Sequence, residues 1–371
     1  MSQLLKRPVL KKPGSQLRQL ATQIQKTVDT KPNTETFDPV LEQIDPDHLI
    51  PTGSTLLNCA CSDNPTGGYG LGKLVNIIGD SSSGKSFLAL TCFAEMAMFK
   101  KFDDYRLIYD DVEAALEFNV NYLFGVDVGS RIETNVVSDT IQDFYGNILK
   151  AIQDDRPFVY ILDSLDALTS KEEMERTKMY TKEKKEGQQD KGSYKTEKAK
   201  MVSEILRVTT RDIKNKEALV LIVSQTRDNL GFGFSTKTRS GGKALKFFSC
   251  HEMWLSIKKP FTKKDRVIGV NSISKLTKNK LTGKVREVNI PIYYDYGIDD
   301  IGANIDFLVD EGHWKKVKQT IKVPEFEWEG TRDTIIRKVE HHSKEKQLQN
   351  LVGKAWNEIE ESIRLNRKRR Y

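Results

Sequence analysis

The sequence has few of the features that mark secreted or membrane proteins. It has four cysteines in 371 residues, at positions 59, 61, 92 and 250, too few and too scattered for a disulfide framework. Cys59-Ala60-Cys61 has no second pair that would complete a zinc site. No apolar run is long enough to span a bilayer, and no apolar segment follows the basic residues near the N-terminus. We therefore expect a cytoplasmic protein with reduced, buried thiols and no membrane partner.

The sequence also lacks a strong excess of charge and any internal repeat. The formal net charge is only +7, so the surface is mixed and any site for a polyanion must come from local clusters. No fixed repeat period is found, which argues against a solenoid or propeller. At 371 residues the chain is long enough for two or three domains, one of them with a large core.

The most informative stretch is a glycine- and serine-rich loop, Gly79-Asp80-Ser81-Ser82-Ser83-Gly84-Lys85-Ser86. It follows an apolar run at 74–78 and precedes a helix-spaced apolar run at 87–99. This is the setting of a P-loop, in which glycines let backbone N–H groups point at phosphates and the helix N-terminus adds positive potential. Lys85 is expected to reach the terminal phosphates of ATP, and the Ser86 hydroxyl is expected to hold Mg²⁺.

Further apolar runs predict the other strands of the core. They lie at 106–109, 159–164 and 219–225. These runs do not alternate with polar residues, as suits strands buried on both faces of a parallel sheet. Later strands of a meander are predicted at 253–258, 267–277 and 285–294, whereas 50–72 reads as turn-rich. We predict an α/β fold with a doubly wound, mostly parallel sheet.

The predicted domain organisation adds a segment at each end of this core. An N-terminal helical arm is predicted at 1–45, with an amphipathic oligomerisation helix at 16–28. The ATPase core is predicted at 46–300. A small α+β C-terminal domain with a basic tail is predicted at 301–371.

Acidic residues follow two of the predicted strands at their carboxyl ends, where ligands bind in such sheets. Asp163 closes one apolar run and is predicted to hold Mg²⁺ together with Ser86. A carboxylate near 110–113 is predicted to position the attacking water. Spacing alone does not choose among Asp110, Asp111 and Glu113.

Gln225 ends the next strand and is followed by a segment, 226–243, that mixes glycine, aromatic and basic residues without periodicity. This composition is typical of loops that bind single-stranded nucleic acid, because aromatic rings stack on bases while basic side chains and glycine amides bind phosphates. The alternative interpretation is a plain surface loop. A basic stripe at helical spacing precedes it and suits a phosphate backbone: Lys200, Arg207, Arg211 and Lys214.

Together these motifs resemble those of RecA-type recombinases, in unbroken order over about residues 51–298. Besides the P-loop, the resemblance rests on Asp111-Val112-Glu113-Ala114-Ala115-Leu116, Leu162-Asp163-Ser164-Leu165-Asp166-Ala167-Leu168-Thr169, Gly241-Gly242-Lys243-Ala244-Leu245-Lys246-Phe247-Phe248, Lys278-Asn279-Lys280 and Tyr294-Asp295-Tyr296-Gly297-Ile298. It implies a DNA-dependent ATPase that forms helical filaments on single-stranded DNA and exchanges strands with homologous duplex DNA. ATP hydrolysis would drive release. The DNA loops would lie near 170–196 and 226–242.

The resemblance also implies roles for single residues. Glu113 would be the catalytic carboxylate, and Gln225 would sense the γ-phosphate and couple it to the DNA loop. Lys278 and Lys280 would act across a subunit interface on the γ-phosphate of a neighbouring copy, and Glu117 joins the nucleotide-binding residues. The implied DNA contacts are Lys200, Arg207, Arg227, Leu230, Phe234, Gly241 and Gly242.

The chain departs from the family pattern in several places. The adenine-stacking tyrosine of the family falls near Val120, for which Tyr122 is a candidate substitute. Lys200 replaces an arginine and loses bidentate phosphate contact. The first DNA loop is longer than usual, and the tail is basic where bacterial members are typically acidic. These departures suit a phage-encoded member. Single-strand-binding and loader proteins are further expected partners.

Two other functions stay open. A ring-forming hexameric helicase shares the ATPase core, although Gly241-Gly242 and the lysine pair argue against it. A non-catalytic recombination accessory would only bind DNA and load a partner, and an intact Glu113 and Asp163 argue against that.

Overall fold

The computed structural model describes residues 44–114, 116, 119–175, 194–229, 236–239 and 242–367. The helix predicted at 16–28 and the end of the basic tail lie outside these residues.

The sequence of elements alternates between strands and helices through the first two thirds of the described chain. The strands are β1 (Leu49–Ile50), β2 (Tyr69–Gly70), β3 (Lys73–Gly79), β4 (Arg106–Asp111), β5 (Ile132–Glu133), β6 (Phe158–Asp163), β7 (Leu219–Asn229), β8 (Thr236–Arg239), β9 (His251–Lys263), β10 (Arg266–Asn279), β11 (Glu287–Tyr293), β12 (Gly297–Ile298), β13 (Lys315–Val317), β14 (Thr320–Val323) and β15 (Trp328–Gly330). The helices are α1 (Thr55–Ser62), α2 (Lys85–Ala97), α3 (Val120–Phe124), α4 (Val126–Arg131), α5 (Ile141–Gln153), α6 (Tyr194–Asn215), α7 (Gly242–Phe248), α8 (Asp300–Asp310), α9 (Arg332–His341) and α10 (Glu345–Ser362). Among the described helices, none is both long and apolar enough to cross a bilayer.

Within the described residues, ten strands form one central sheet in the order β12-β11-β10-β9-β3-β7-β6-β4-β5, with β8 paired to β7. From β9 to β5 along this order, neighbouring strands are parallel. The strands from β9 to β12 pair antiparallel. The prediction of a mostly parallel α/β sheet is confirmed, since the four apolar runs are β3, β4, β6 and β7. The predicted meander corresponds to β9, β10 and β11.

The central strands lack polar alternation because helices cover both of their faces. Every residue of β6 is buried, including its terminal Asp163. On one face, Val75 and Ile77 pack in the same core as Phe93 of α2. On the other face, Leu74 packs in a second core with Phe144 of α5 and residues of α6. Burying a side chain of this size stabilises the fold by about 1.5–3 kcal/mol. The sheet is therefore a rigid support for the residues at its edges.

Residues 50–72, predicted as turn-rich, contain the buried helix α1. Ser54 caps this helix by accepting a hydrogen bond from Leu57 N. Thr55 donates from N and Oγ1 to the carboxylate of Asp300 at 2.6 and 2.7 Å, which fixes α8 on α1. Both cysteines of this helix are buried free thiols, as are the other two of the chain, in agreement with the sequence.

The last third of the described chain contains α8, a three-stranded sheet of β13, β14 and β15, and helices α9 and α10. Trp314 and Trp356 are buried in the same core as α1. Arg286, just before β11, forms a bidentate ion pair with Glu360 of α10, with N–O distances of 2.6 and 2.7 Å. Residues 44–371 group as one compact unit, and the boundary near residue 300 stays a prediction.

Candidate functional site

The loop Gly79–Ser86 connects β3 to α2, where the sequence predicts it. Gly84 has a left-handed backbone, with φ of 89°. A Cβ on Gly79 would lie 2.6 Å from the carbonyl oxygen of Leu255, and a Cβ on Gly84 would lie 2.5 Å from the Ile292 side chain. Both positions therefore require glycine, and the chain can make a turn tight enough to surround phosphate groups.

Lys85 begins α2 with its side chain turned back onto the loop. It is 8% exposed, and its Nζ donates a hydrogen bond to the carbonyl oxygen of Asp80 at 2.7 Å. Burial lowers the pKa of Lys85 below its usual value, while the carboxylates of Asp163 and Glu113 act in the opposite direction. A glycine cradle with a buried ammonium at its mouth fits the phosphates of a nucleotide.

Asp163 lies beside the loop at the end of β6 and is 6% exposed. Its Oδ2 accepts a hydrogen bond from Tyr109 Oη at 2.9 Å, and the nearby Ser86 hydroxyl also favours the charged form of this carboxylate. Burial raises the pKa of Asp163 despite these two hydroxyl groups. A carboxylate and a hydroxyl are the hard oxygen ligands that Mg²⁺ prefers, and this ion keeps several positions for water and phosphate oxygens. The two residues therefore fit a magnesium site that a nucleotide would complete.

A dedicated protein-only metal site is not part of this arrangement. Within the ranges that the structure describes, no group of three His, Cys, Asp or Glu side chains could hold a metal ion. Any Mg²⁺ bound here would complete its coordination with water and with phosphate oxygens of a nucleotide.

Glu113 is an exposed residue just beyond β4. Its Oε1 accepts hydrogen bonds from Ser164 Oγ and, at 2.9 Å, from Gln225 Nε2. Ser164 directly follows β6, and Gln225 lies in β7, opposite Gly79 in the strand register. Residues from three neighbouring strands thus meet at one carboxylate beside the P-loop.

The other two acids near Glu113 have different surroundings. Asp110 is fully buried on the face of β4 opposite to that of Tyr109. Its carboxylate accepts hydrogen bonds from Tyr160 Oη at 2.5 Å and from Ser138 N and Oγ at 2.9 and 2.6 Å. Asp111 accepts a hydrogen bond from Leu116 N at 3.1 Å. The geometry therefore favours Glu113 among the three acids, in line with the resemblance.

A contact that sequence reasoning missed joins β7 to the P-loop. Thr226, the residue after Gln225, donates from Oγ1 to Asp80 Oδ1. Gln225 itself donates from its backbone N to Asp166 Oδ2 at 2.7 Å. Gln225, just before the predicted DNA loop, and Thr226, its first residue, therefore contact the Glu113 carboxylate and the P-loop, respectively.

Lys278 and Lys280 lie at the other end of the sheet. Lys280 N donates to Cys250 O, and Cys250 N donates to Leu74 O, so the lysine pair lies beside the beginning of β3. Leu74 and Gly79 are about 17 Å apart along the strand at about 3.4 Å per residue. This distance is longer than a lysine side chain, so the pair cannot reach the P-loop of its own chain.

Both ammonium groups bind carbonyl oxygens at the C-terminal end of α7. Lys278 Nζ donates to Lys246 O and to Phe247 O, the latter at 2.9 Å, and Lys280 Nζ donates to Phe247 O at 2.8 Å. Burial and the positive charge of Lys280 lower the pKa of Lys278 to about 8. The pair is a dense positive charge near the surface, oriented by a helix C-terminus.

Comparison with known proteins agrees with this geometry. The family model of the RecA N-terminal domain matches residues 38–299. The chain belongs to the RecA family. Curated RecA relatives include Protein RecA of Clostridioides difficile (strain 630), 29% identical over 282 residues, which cover 73% of this chain and 74% of that protein. Protein RecA of Ehrlichia ruminantium (strain Gardel) is 30% identical over 270 residues, 72% of this chain and 69% of that protein. Protein RecA of Francisella tularensis subsp. novicida (strain U112) is 30% identical over 280 residues, 73% and 71% of the two chains.

The RecA family match covers the P-loop, Asp163, Glu113, Gln225 and the lysine pair, and the predicted resemblance is confirmed. It ends before α8 begins, so the C-terminal part of the chain lies beyond it.

The residues predicted to bind DNA are described only in part. Lys200 and Arg207 are exposed on α6, two helical turns apart, and Arg207 lies 3.9 Å from Glu204. Arg227 belongs to β7, where it lies opposite Thr238 of β8, and Gly242 begins α7. Three further predicted contacts lie outside the described residues: Leu230, Phe234 and Gly241.

The residues predicted to contact the nucleotide are also described only in part. Val120 begins the short helix α3, and Tyr122 on that helix is 70% exposed. Glu117 lies outside the described residues. Neither Tyr122 nor Glu117 is therefore brought to the P-loop by the described structure, and both stay predictions.

Proposed function

We propose that this RecA-family chain is an ATP-dependent recombinase. It forms helical filaments on single-stranded DNA and catalyses homologous pairing and strand exchange, and ATP hydrolysis drives its release. The observation that carries the proposal is the 2.9 Å hydrogen bond from Gln225 to Glu113. It connects the carboxylate beside the P-loop to the strand that leads into the glycine- and aromatic-rich segment.

The residues of the chain divide the chemistry of hydrolysis among them. Gly79–Ser86 would hold the triphosphate, with the Lys85 ammonium against its terminal phosphates. Ser86 and Asp163 would hold Mg²⁺, which neutralises charge on phosphate oxygens when bound. Glu113 would orient the attacking water and accept its proton on the carboxylate, which Ser164 and Gln225 hold in position.

The link from nucleotide to DNA runs through the end of β7. Gln225 contacts Glu113, and Thr226 contacts Asp80 of the P-loop. A phosphate group that displaces either contact moves the first residues of the segment at 226–242. This supports DNA binding that depends on the bound nucleotide and is lost after hydrolysis.

The position of the lysine pair supports assembly of copies from head to tail. Lys278 and Lys280 lie too far from their own P-loop to act on it, whereas a neighbouring copy could present its nucleotide to them. In phosphoryl transfer, such cations supplied by a neighbour stabilise charge in the transition state. A contact between unlike surfaces that does not close into a ring generates a helical filament.

The test is ATPase activity measured with and without single-stranded DNA, together with electron micrographs of the protein on that DNA with a non-hydrolysable ATP analogue. We expect DNA-stimulated hydrolysis and helical filaments. Glu113→Gln should keep nucleotide binding and lose at least 100-fold in hydrolysis, the order expected for a general base.

Two outcomes would overturn the proposal. Closed rings that unwind duplex DNA without pairing would indicate the hexameric helicase. Hydrolysis that is absent with and without DNA would indicate the non-catalytic accessory.

A further inference from the structure

A cleft of about 850 Å³ lies between strand β11 and helix α10, a volume within the range of ligand sites. Residues of β9 and β10 extend the wall formed by β11, and α8 extends the wall formed by α10. None of the described residues that line the cleft belongs to the P-loop, the lysine pair or the predicted DNA loops. The cleft is therefore separate from the candidate nucleotide site.

The backbone of β11 points alternately to the two sides of the strand. Arg286 O accepts a hydrogen bond from Leu276 N of β10. Pro291 O accepts one from Asp299 N, which follows β12 on the opposite side of the strand. Because alternate residues point the same way, the N–H and C=O groups of the odd-numbered residues of β11 point away from β10.

These groups form an open edge at the beginning of β11. Strand β12 pairs only with Ile292 and Tyr293. In the described ranges, no other strand lies along Glu287 and Asn289 on this side. Both residues are exposed and line the cleft. An open edge of this kind is a template for pairing with a further extended chain.

The wall opposite this edge is an apolar stripe at the end of α10. Trp356, Ile359 and Ile363 follow each other at helical spacing, and all three line the cleft. Trp356 is buried in the same core as Val288 of β11, whereas Ile363 is 61% exposed. An apolar side chain placed between β11 and α10 would extend this core.

The other face of β11 lies beside two exposed lysines of β9. Lys258 Nζ donates to Asn289 Oδ1 at 3.3 Å. Lys259 lies opposite Asn271 of β10, which in turn lies opposite Pro291. The register shifts next to Asn271, and this bulge lets both lysines reach the same face. In the described part of the chain, neither lysine forms an ion pair, and no group donates to the buried Asn271 Oδ1.

Most of the acidic side chains that line the cleft already have a cation as partner. Three of them form ion pairs: Glu287 with Lys275, Asp306 with Arg332 and Glu360 with Arg286. The other two, Asp310 and Glu311, lie at the end of α8 rather than on the sheet. The sheet side of the cleft therefore attracts negative charge.

The open edge and the two walls together define the chemistry of a ligand. The edge offers N–H and C=O groups in alternation, which a peptide backbone can match and a phosphate backbone cannot, since phosphates bring acceptors only. Successive side chains of an added strand point to opposite faces. One set would meet the apolar stripe of α10, and the other set would meet Lys258 and Lys259.

We propose that this cleft binds an extended segment of a partner protein. The segment adds as a strand to β11 and alternates apolar side chains, on the side of α10, with acidic side chains, on the side of the two lysines. The proposal goes beyond recombinase activity and does not depend on it, because the cleft shares no residue with the candidate nucleotide site.

The experiment uses the full chain without nucleotide or DNA. A fluorescent peptide of alternating glutamate and valine, about eight residues long to span the open edge, is titrated with the protein, and its anisotropy gives the affinity. We expect saturable binding. The matched peptide of alternating lysine and valine should bind at least about tenfold more weakly, because its charges repel Lys258 and Lys259.

Asn289→Pro tests the open edge directly. It removes the N–H that points from β11 into the cleft, and it leaves the ladder with β10 intact because that N–H points away from β10, as is the case for Pro291. We expect about tenfold weaker binding of the glutamate–valine peptide, the upper end for one hydrogen bond. Asn289→Ala is the matched control, since it keeps the N–H and should bind as the unmodified chain does. Thermal melts compare the folding of the two variants.

Methylated peptides give the same test with the unmodified chain. One version carries N-methyl groups on its glutamates, and the other carries them on its valines. Because only alternate N–H groups of an added strand face β11, one version should lose about tenfold in affinity and the other should keep it. Lys259→Ala should weaken binding about threefold. Lys354→Ala is its control, because Lys354 is an exposed cation of α10 that does not line the cleft.

Three results would overturn the proposal: no saturable binding of the glutamate–valine peptide, equal affinities of Asn289→Pro and Asn289→Ala, or equal affinities of the two methylated peptides. Displacement of the peptide by a short oligothymidine, with no effect of Asn289→Pro, would indicate a surface for nucleic acid instead. None of these results bears on the proposed recombinase, whose ATPase activity is measured separately with ATP and DNA.

Discussion

Two buried tyrosines form matching pairs with aspartates on opposite faces of the same two strands. Tyr109 on β4 donates to Asp163 on β6 at 2.9 Å, and Tyr160 on β6 donates to Asp110 on β4 at 2.5 Å. All four side chains are buried. Asp163 belongs to the candidate magnesium site and Asp110 does not. A change at Tyr109 therefore tests the positioning of a metal ligand, whereas the same change at Tyr160 tests packing alone.

We expect Tyr109→Phe to raise the Mg²⁺ concentration needed for binding of a nucleotide analogue by about tenfold, the lower end for loss of a partner that orients a metal ligand. The measurement is a Mg²⁺ titration of the fluorescence of the bound analogue. Tyr160→Phe is the control. It should lower the free energy of unfolding by about 1–3 kcal/mol, because it leaves a buried carboxylate with one donor fewer. Equal Mg²⁺ requirements in the two variants would contradict a positioning role for Tyr109.

At the residue scale, the sequence predicts those parts of the site that are contiguous. Gly79, Gly84 and Lys85 follow from the spacing of a single loop. Tyr109 and Thr226 could not be predicted, because their partners lie 54 and 146 residues away along the chain. Only the fold brings those pairs together.

At the scale of elements, β7 is the strand that joins the P-loop to the predicted DNA loop. Thr226→Val removes the hydroxyl that contacts Asp80 and keeps the shape of the side chain. We expect the gain in affinity for single-stranded DNA that an ATP analogue produces to fall about threefold to tenfold, the effect of one hydrogen bond. Binding of the analogue itself should persist. Fluorescence anisotropy of a labelled oligonucleotide, with and without the analogue, measures both states.

Thr226→Ser is the matched control, since it keeps the donor and should retain the full gain in affinity. If Thr226→Val and Thr226→Ser behave alike, the hydroxyl has no part in the coupling. A loss of analogue binding in both would instead indicate damage to the P-loop.

Strands buried on both faces could be predicted, and strands at edges could not. The apolar runs of β3, β4, β6 and β7 mark them because helices cover both faces. The two-residue strands β5 and β12 are too short to leave a pattern. The strand β9 continues to Lys263, well past the predicted end at 258, because its later residues pair only with β10 and are mostly exposed. Helix α1 was missed because it lies among turn residues.

At the scale of the whole molecule, a cluster of carboxylates and the lysine pair lie at opposite ends of the central sheet. Carboxylates of Asp163, Glu113 and Asp166 lie at the P-loop end together with Lys85, whereas Lys278 and Lys280 lie at the other end. In the head-to-tail assembly proposed above, the carboxylates of one copy would attract the lysine pair of the next. The sequence could not show this arrangement, because it depends on the directions of the strands. The end of β10, which carries Lys278, lies beside the beginning of the parallel strands since β10 runs antiparallel to them.

Mixing Lys278→Ala with Lys85→Ala tests this association. Each variant alone has one defective half in every junction, so neither should hydrolyse ATP at an appreciable rate. If Lys278 acts on the nucleotide of a neighbouring copy, an equal and randomly assembled mixture should regain about a quarter of the unmodified rate, because about one junction in four joins an intact P-loop to an intact lysine pair. Lys354→Ala, which changes an exposed lysine of α10, should keep the full rate by itself. ATPase rates across a series of mixing ratios give the measurement, and mixtures that regain no activity would refute action across a junction.

The lysine pair lies beside the beginning of β3, about 17 Å along that strand from the P-loop. Any filament of copies joined through them has two different ends. One end has a P-loop without a neighbouring lysine pair, and the other has a lysine pair without a neighbouring P-loop. A copy defective in one partner can still join a row through the other, but nothing can be added beyond it. Such a copy stops elongation at one end only, and the end that it blocks shows the direction of growth.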